Sequence, residues 1–457
     1  MQSVLKRLDD SVRRVTERLH AQMCYVSSSR GLAKLPDELL IRVFAIVQNL
    51  DMSGQPRRSY DRLRRITAVC RRFRALVCST ASFWTDVGDF LCADELDVYL
   101  SRSKNARLNV SLECHEGGWR DGLRFLEKVV PHCRRWKSFD IDFNGYAFVR
   151  PSKRYIERAY DLMHGLHTDA LESIQWELPD ADNAVGEGCI EDDADVYHVY
   201  TTWVAPRLGS LSGFKIVPRE SSRVHGATFS LTSCDLFFCG RWQIPRNLLS
   251  RFYAFLSSQP RLESLDIHYT NFPMEIRNVN QTSKPVTLPS LRRLCLMTDI
   301  DSHLRDDDLF DVQKFLCRLA LPIIEHIQIF VPIHGNHFRL ESILPPFNDY
   351  SKLETLDLTF HGVTEYAMQL SPLQPIFMRC PNLTSLLIYA EGIQLTVEVP
   401  SPDGCPPPPL RKLEISQCEP VTTESLLELV DYLRRHPGEF EEFRVLDCPS
   451  NMIQIFR

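Results

Sequence analysis

Leu35-Pro36-Asp37-Glu38-Leu39-Leu40-Ile41-Arg42-Val43-Phe44 reads as a short helix with more apolar surface than one small domain covers. Pro36 stands in the first turn, where a helix tolerates proline, and Asp37 and Glu38 follow where the positive end of the helix dipole favours carboxylates. Leu39, Leu40, Val43, Phe44 and Val47 recur at the spacing of one helical face, with Ile41 and Ile46 off that stripe. Part of this face is expected to pack at home and the remainder to meet a partner. A buried Leu, Val or Phe is worth about 1.5 to 3 kcal/mol over an exposed one, so a handful sustains a lasting protein contact.

Upstream, Leu5, Leu8, Val12, Val15 and Leu19 alternate at three and four, which makes one seam on an amphipathic helix within residues 1–30. The seam is shorter than the three or four heptads of a sustained coiled coil, so packing onto the next helix or weak self-association is expected rather than a stable zipper. Downstream, Asn49 to Ser59 holds Gly54, Pro56 and two arginines and reads as a polar linker. Leu63, Ile66, Val69, Phe73 and Leu76 then keep a helical period. Arg62, Arg64, Arg65, Arg71, Arg72 and Arg74 lie between them and read as the solvated face of this second helix, in preference to a nuclear-targeting or nucleic-acid patch.

Three segments in order carry a resemblance: Leu35 to Leu40 with Val43-Phe44, then Val69-Cys70-Arg71-Arg72-Phe73-Arg74-Ala75-Leu76, then Phe83-Trp84-Thr85-Asp86-Val87. Together they resemble the F-box, a helical module that binds a Skp-type adaptor and through it a cullin-based ubiquitin ligase. Phe73 stands where that family usually has Trp, and the linker after Asn49 is longer and more polar than usual. The resemblance implies a head over residues 31–90 in which Leu35, Pro36, Leu39, Leu40, Val43 and Phe44 contact the adaptor.

A different pattern begins at about Trp136. Apolar-x-x-apolar-x-apolar occurs at Trp136/Phe139/Ile141, Leu171/Ile174/Trp176, Leu262/Leu265/Ile267, Leu291/Leu294/Leu296, Ile324/Ile327/Ile329, Leu353/Leu356/Leu358, Leu383/Leu386/Ile388, Leu410/Leu413/Ile415 and Phe440/Phe443/Val445. From Leu262 onward the copies recur every 27 to 33 residues or about that, a period of solenoids. Between Trp176 and Leu262 the register stays open: Leu208/Leu211 competes with Leu211/Phe214/Ile216, and Leu231/Cys234/Leu236 is a weak copy. Pro260, Pro289, Pro322, Pro381 and Pro408 each precede a copy by two residues and are expected to lead the chain extended into a strand. Helical periods fill Arg246 to Ser258, Asp306 to Leu321 and Thr422 to Arg435. Strand, helix and return strand, repeated, predict a parallel sheet with helices outside it.

This region resembles the leucine-rich repeat family in its irregular, long-unit form. That family usually carries Asn or Cys three residues past the last strand leucine; Asn144, Cys418 and Cys448 fit, whereas Thr270, Asp299, His361 and Pro332 do not. A helix-covered mixed sheet is the rival architecture. Two segments interrupt the rhythm: Glu177 to Asp195, rich in carboxylates without Lys or Arg, reads as a solvated loop, and Pro400 to Pro409 as a stiff connector.

Composition bounds the rest. The 457 residues leave room for about three domain-sized units, and 44% hydrophobic with 25% charged residues is a soluble globular balance. No run approaches the ~20 apolar residues of a membrane span. Met1 to Arg7 turns charged at once and lacks a secretory core, so the chain is expected to stay inside the cell, in cytoplasm, nucleus or both. Fifteen cysteines, an odd number without any C-x-x-C, read as free thiols of a reducing compartment. A net charge of -6 implies neither a nucleic-acid nor a membrane partner.

The search for chemistry returns no phosphate-cradling glycine loop, nucleophile elbow or zinc-protease motif. His164-x-x-His167 and His334-x-x-His337 lack a third ligand at a convincing spacing, and Asp306-Asp307-Asp308 precedes a helical run, where carboxylates need no ion. No catalytic residue, cofactor or metal is expected. If the repeat leucines face inward, the intervening strand positions form an outward row, in which Met297, Phe330, Leu387 and Tyr389 are more apolar than exposure requires and mark a speculative substrate-binding patch.

The expected architecture is α/β: an N-terminal helix at 1–30, an all-helical F-box at 31–90, a helical connection at 91–130 and an irregular leucine-rich-repeat solenoid at 131–457. The resemblance implies a non-enzymatic substrate-recognition subunit of an SCF-type ubiquitin ligase, joined to a Skp-type adaptor, through it to a cullin, and to an unidentified protein target. A scaffold outside any ligase is the alternative.

Overall fold

The structure, a computed structural model, describes residues 14–15, 18, 31–49, 56–113, 119–142, 153–177, 196–214, 230–238, 246–270, 285–299, 316–333, 344, 350–362, 373–391, 408–416, 423–434 and 441–446. The chain forms two compact units, one from residues 1–113 with 135–137 and one from 114–134 with 138–457. Of the N-terminal seam, Val15 alone is described, helical and exposed; Leu5, Leu8, Val12 and Leu19 lie outside the described residues.

The first unit is built on three helices, α1 (Asp37–Asn49), α2 (Pro56–Val69) and α3 (Arg71–Ser79). Pro56 opens α2 at the first helical position, where its missing N–H costs nothing. The single second helix read from the sequence is two. Cys70 is extended between them, with φ -158°, and its sulfur accepts the Phe73 N–H to cap α3. The apolar period runs through this break, which is why periodicity alone passed over it; Val69, at the end of α2, points to solvent. After α3 come β1 (Asp86–Gly88), α4 (Ala93–Arg102) and β2 (Leu108–Glu113), which pairs parallel with β1. The expected helical connection at 91–130 thus contains a strand, because Leu108, Val110 and Leu112 alternate into the core. Trp84 locks this end: its indole N–H donates to the Val77 carbonyl at 2.8 Å, Tyr99 meets its edge at 4.9 Å, and the Arg102 guanidinium lies 4.5 Å over its ring.

The second unit holds α5 (Trp119–Val129), β3 (Trp136–Asp142, of which residues 138–142 belong to this unit), α6 (Lys153–Met163), β4 (Ser173–Glu177), β5 (Ser210–Phe214) and β6 (Ser233–Phe238). It continues with α7 (Arg246–Ser257), β7 (Ser264–Thr270), β8 (Val286–Thr287), β9 (Arg293–Asp299), β10 (Leu319–Ala320), β11 (His326–Ile333) and β12 (Thr355–Gly362). Last come α8 (Gln374–Arg379), β13 (Ser385–Glu391), β14 (Lys412–Ser416), α9 (Thr423–Arg434) and β15 (Glu442–Leu446). A large parallel sheet runs β3-β4-β5-β6-β7-β9-β11-β12-β13-β14-β15, so spatial order follows chain order. The short strands β8 and β10 pair separately, and β10 occupies the described end of the segment read as helical to Leu321.

The pattern read from the sequence is the register of this sheet. Leu265, Leu294, Ile327, Leu356, Leu386, Leu413 and Phe443 align across neighbouring strands, and so do Ile267, Leu296, Ile329, Leu358, Ile388, Ile415 and Val445. All are buried. The open stretch resolves to Leu208/Leu211, with Gly213 where the third apolar residue was sought, and the weak copy at Leu231/Cys234/Leu236 is β6. Phe252 of α7 meets Phe238 of β6 at 6.4 Å, which puts a helix on the apolar side of the sheet.

The prolines act differently from expectation. Pro260, Pro289 and Pro381 occupy the second position of four-residue turns closed by Leu262 N–H to Gln259 O, Leu291 N–H to Leu288 O and Leu383 N–H to Cys380 O, at 3.2, 3.3 and 3.2 Å. Their fixed φ suits that position. One carbonyl after each turn then accepts two N–H groups from the next unit: Glu263 from Arg292 and Arg293, Arg292 from Glu325 and His326, Thr384 from Arg411 and Lys412. Pro381→Ala is expected to lower stability by about 0.4 to 1 kcal/mol, read as a lower urea midpoint with an unchanged slope, since the loss is entropic and lies in the unfolded chain.

Candidate functional site

The two sides of α1 do different work. Leu40 and Phe44, one turn apart, are 0% and 3% exposed. Phe44 meets Phe73 edge-on at 4.8 Å and Phe83 at 6.5 Å, so the residue standing where Trp is usual fills the centre of the head. The other side carries Leu39, Val43 and Ile46, continued back by Pro36 just before the helix, spaced at three and four. Leu39 is 43% and Ile46 61% exposed, Pro36 is exposed and Val43 half-buried. Leu35 is half-buried and Leu32, just before it, exposed. The six residues expected to contact an adaptor are therefore divided. Leu40 and Phe44 face the unit's own core and hold the helix, whereas Leu35, Pro36, Leu39 and Val43 remain to offer surface, joined by Ile46, which its place off the main stripe had hidden.

Two of the arginines read as a solvated face instead tie down the ends of α1. Arg62 donates to the Gln48 carbonyl at 3.0 Å and the Val47 carbonyl at 3.4 Å, where the last helical carbonyls need donors. Arg72 donates to Asp37 at 3.0 Å and to the Leu35 carbonyl at 2.7 Å at the opposite end. Arg64, Arg65, Arg71 and Arg74 are exposed, as expected. The helix is thus fixed at both termini and along its buried side, while an apolar ridge stays outside.

Residues 32–88 match the F-box-like family model. The match spans the three helices through β1, and it covers all three segments on which the resemblance rests. No curated protein matches the chain. The F-box-like domain has its partner-facing candidates on α1.

The body presents a second candidate, the strand face opposite the apolar rows. One row in register reads Asp235, Asp266, Cys295, Gln328, Asp357, Leu387, Glu414 and Arg444. The next reads Phe237, His268, Met297, Phe330, Thr359, Tyr389 and Ser416. Met297 and Phe330 are direct neighbours; Tyr389 follows two strands on, past Thr359; Leu387 belongs to the acidic row. All four are half-buried. Phe237 stacks on His268 at 4.2 Å and 17°. Sequence reading missed Phe237 and Asp235 because the outward positions of the weak copy at Leu231 were not followed.

Burial and the neighbouring Asp266 push the Asp235 carboxyl up to about 6. Burial, then Glu414, raises Asp357, whose carboxylate accepts from Gln328 Nε2 at 3.1 Å. Burial lowers His268 against the pull of Asp266. At the far end the charges pair among themselves: Lys412 with Glu414 at 3.0 Å, and Arg444 with Glu442.

The described cysteines are free, and burial lifts the Cys295 and Cys380 thiols to about 11 and 12, away from reactive thiolates. Among the described residues no three His, Cys, Asp or Glu side chains converge on a metal position, and no helix is long and apolar enough to cross a membrane. His164 and His167 are exposed. His334, His337, Asp306 to Asp308, the acidic segment after Glu177, Pro400 to Pro407, and Asn144, Cys418 and Cys448 lie outside the described residues.

Proposed function

We propose that this chain is the substrate-recognition subunit of an SCF-type ubiquitin ligase. The observation that carries the reading is an F-box-like domain whose first helix is anchored on one side and apolar and exposed on the other. Leu35, Pro36, Leu39, Val43 and Ile46 meet the Skp-type adaptor, which brings the cullin. The body is a degenerate leucine-rich-repeat sheet that holds a protein target, and Met297, Phe330, Leu387 and Tyr389 lie on its binding face. Support for the repeat reading comes from the aligned apolar rows and the recurring turns. Such a subunit makes no bond itself; it raises the effective concentration of target beside the charged conjugating enzyme. The protein works inside the cell, where that machinery resides.

The test is reconstitution with purified Skp-type adaptor, cullin and ubiquitin-charged conjugating enzyme. The full chain is expected to co-elute with adaptor and cullin and to support ubiquitin transfer, and a chain lacking residues 31–90 to do neither. Adaptor capture without cullin would make it a scaffold outside the ligase.

A further inference from the structure

The body's strand face has a chemistry that narrows its partner. From β6 to β12 the outward positions place Asp235, Asp266 and Asp357 in one row, beside a row of Phe237, His268, Met297 and Phe330. The described basic side chains facing this stretch are Arg293, His268 and His326, with Lys412 two strands beyond Asp357, so carboxylates prevail. Two of these groups also fall short. His268 Nε2 lies 3.8 Å from Asp235 Oδ1 and Arg293 Nε 3.9 Å from Asp266 Oδ1, both beyond hydrogen-bond reach, and these two carboxylate oxygens are shut from water without a donor. The rest of each carboxylate, in side chains 37% and 26% exposed, faces outward with charge that the neighbouring basic groups do not hydrogen-bond at Oδ1, and is open to a partner's N–H. Beside them, the Phe237 and His268 rings stack face to face across neighbouring strands and turn their edges outward, a ridge along which the aliphatic stem of a long basic side chain packs.

We propose that the strand face from β6 to β12 docks an extended, arginine- or lysine-bearing segment of a protein partner. Its cationic heads meet Asp235, Asp266 and Asp357, and its stems lie over Phe237, His268, Met297 and Phe330. This rests on the body being the target-binding part of the chain, and it supplies the chemical class of the target. The register also sets a spacing. Asp266 and Asp357 stand three strands apart, about 14 Å, which an extended segment crossing the strands covers in about four residues with both side chains on one side. Cations four apart therefore fit, and cations three apart point to opposite sides.

The experiment is fluorescence anisotropy of the full chain with labelled, otherwise Gly/Ser nonapeptides. One carries two arginines four residues apart, one carries them three apart, and one carries two glutamates four apart. The first is expected to bind, the second at least tenfold more weakly, about the discrimination of one lost charged contact, and the glutamate peptide not at all. Asp266→Asn with Asp357→Asn, and separately Phe330→Ala, are expected to weaken the first peptide about tenfold each. Asp235→Asn gives a readout that a structural residue does not. The ionised carboxylate is disfavoured by burial, so removing its charge at pH 7.5 is expected to raise the body's thermal midpoint, by about 2 °C, while peptide affinity falls. Equal binding of the arginine and glutamate peptides, or unchanged affinity in the Asp266/Asp357 double variant, overturns the proposal. Adaptor capture is measured on the same samples. Its retention alongside absent peptide binding sinks this inference alone, whereas its absence alongside peptide binding sinks the ligase reading and leaves this surface standing.

Discussion

Leu39→Asp is expected to abolish recovery of a Skp-type adaptor from solution while the head stays folded, and Phe44→Asp to unfold the head. The two apolar positions differ by which side of α1 they occupy. Leu39 lies in the first helical turn and is 43% exposed, so an aspartate there stays in water and gains from the helix dipole. In the proposed complex the same carboxylate loses water against whatever apolar surface Leu39 meets. A residue at the centre of an interface is worth about 2 kcal/mol or more, and a desolvated, unpaired charge adds to that, which takes recovery below about one thirtieth of the wild-type level. Phe44 instead sits between the Phe73 and Phe83 rings. Losing that ring alone costs about 3 to 5 kcal/mol, before the penalty for a buried charge, out of a total stability of about 5 to 15. Circular dichroism with adaptor pull-down on both variants separates the cases. A folded Leu39→Asp chain that still recovers the adaptor at wild-type yield shows that the partner uses another surface.

Which parts of this were readable in the chain follows from what a residue pattern encodes. The strand rows were legible because every unit repeats the same inward positions, and Leu353/Leu356/Leu358 is as plain in sequence as in register. The division of α1 was half legible. Leu39 and Leu40 are equally apolar neighbours, and the side that turns inward is the one on which Phe44, one turn beyond Leu40, meets Phe73 and Phe83. The break at Cys70 was hidden because α2 and α3 keep one apolar period across it, and Arg62 and Arg72 looked like solvent-facing charge because their acceptors are backbone carbonyls and an aspartate far away in sequence. The acidic and aromatic rows of the strand face were only partly found for a related reason. Outward positions carry no periodic signal of their own, so Asp235 and Phe237 acquire meaning when the sheet lays them beside Asp266 and His268.

Leu358→Asp is expected to collapse the body and leave adaptor capture at the wild-type level. Leu358 is 1% exposed, and its register neighbours are Ile329 and Ile388. A carboxylate there meets no donor among those side chains, so it costs several kcal/mol. Thr359, the next residue, points to the other face and is half-buried, so the uncharged polar change Thr359→Asn is expected to cost less than about 1 kcal/mol. In a sheet where each strand touches only its neighbours, the damage begins locally and spreads by nearest-neighbour coupling. Hydrogen exchange read by mass spectrometry is expected to show protection lost first from β11 through β13, with α1 to α3 still protected. A head that loses protection in step with the body would mean that the two units are not separately stable, and that an apolar ridge on α1 is held in place by more than Arg62, Arg72 and the Phe44 cluster.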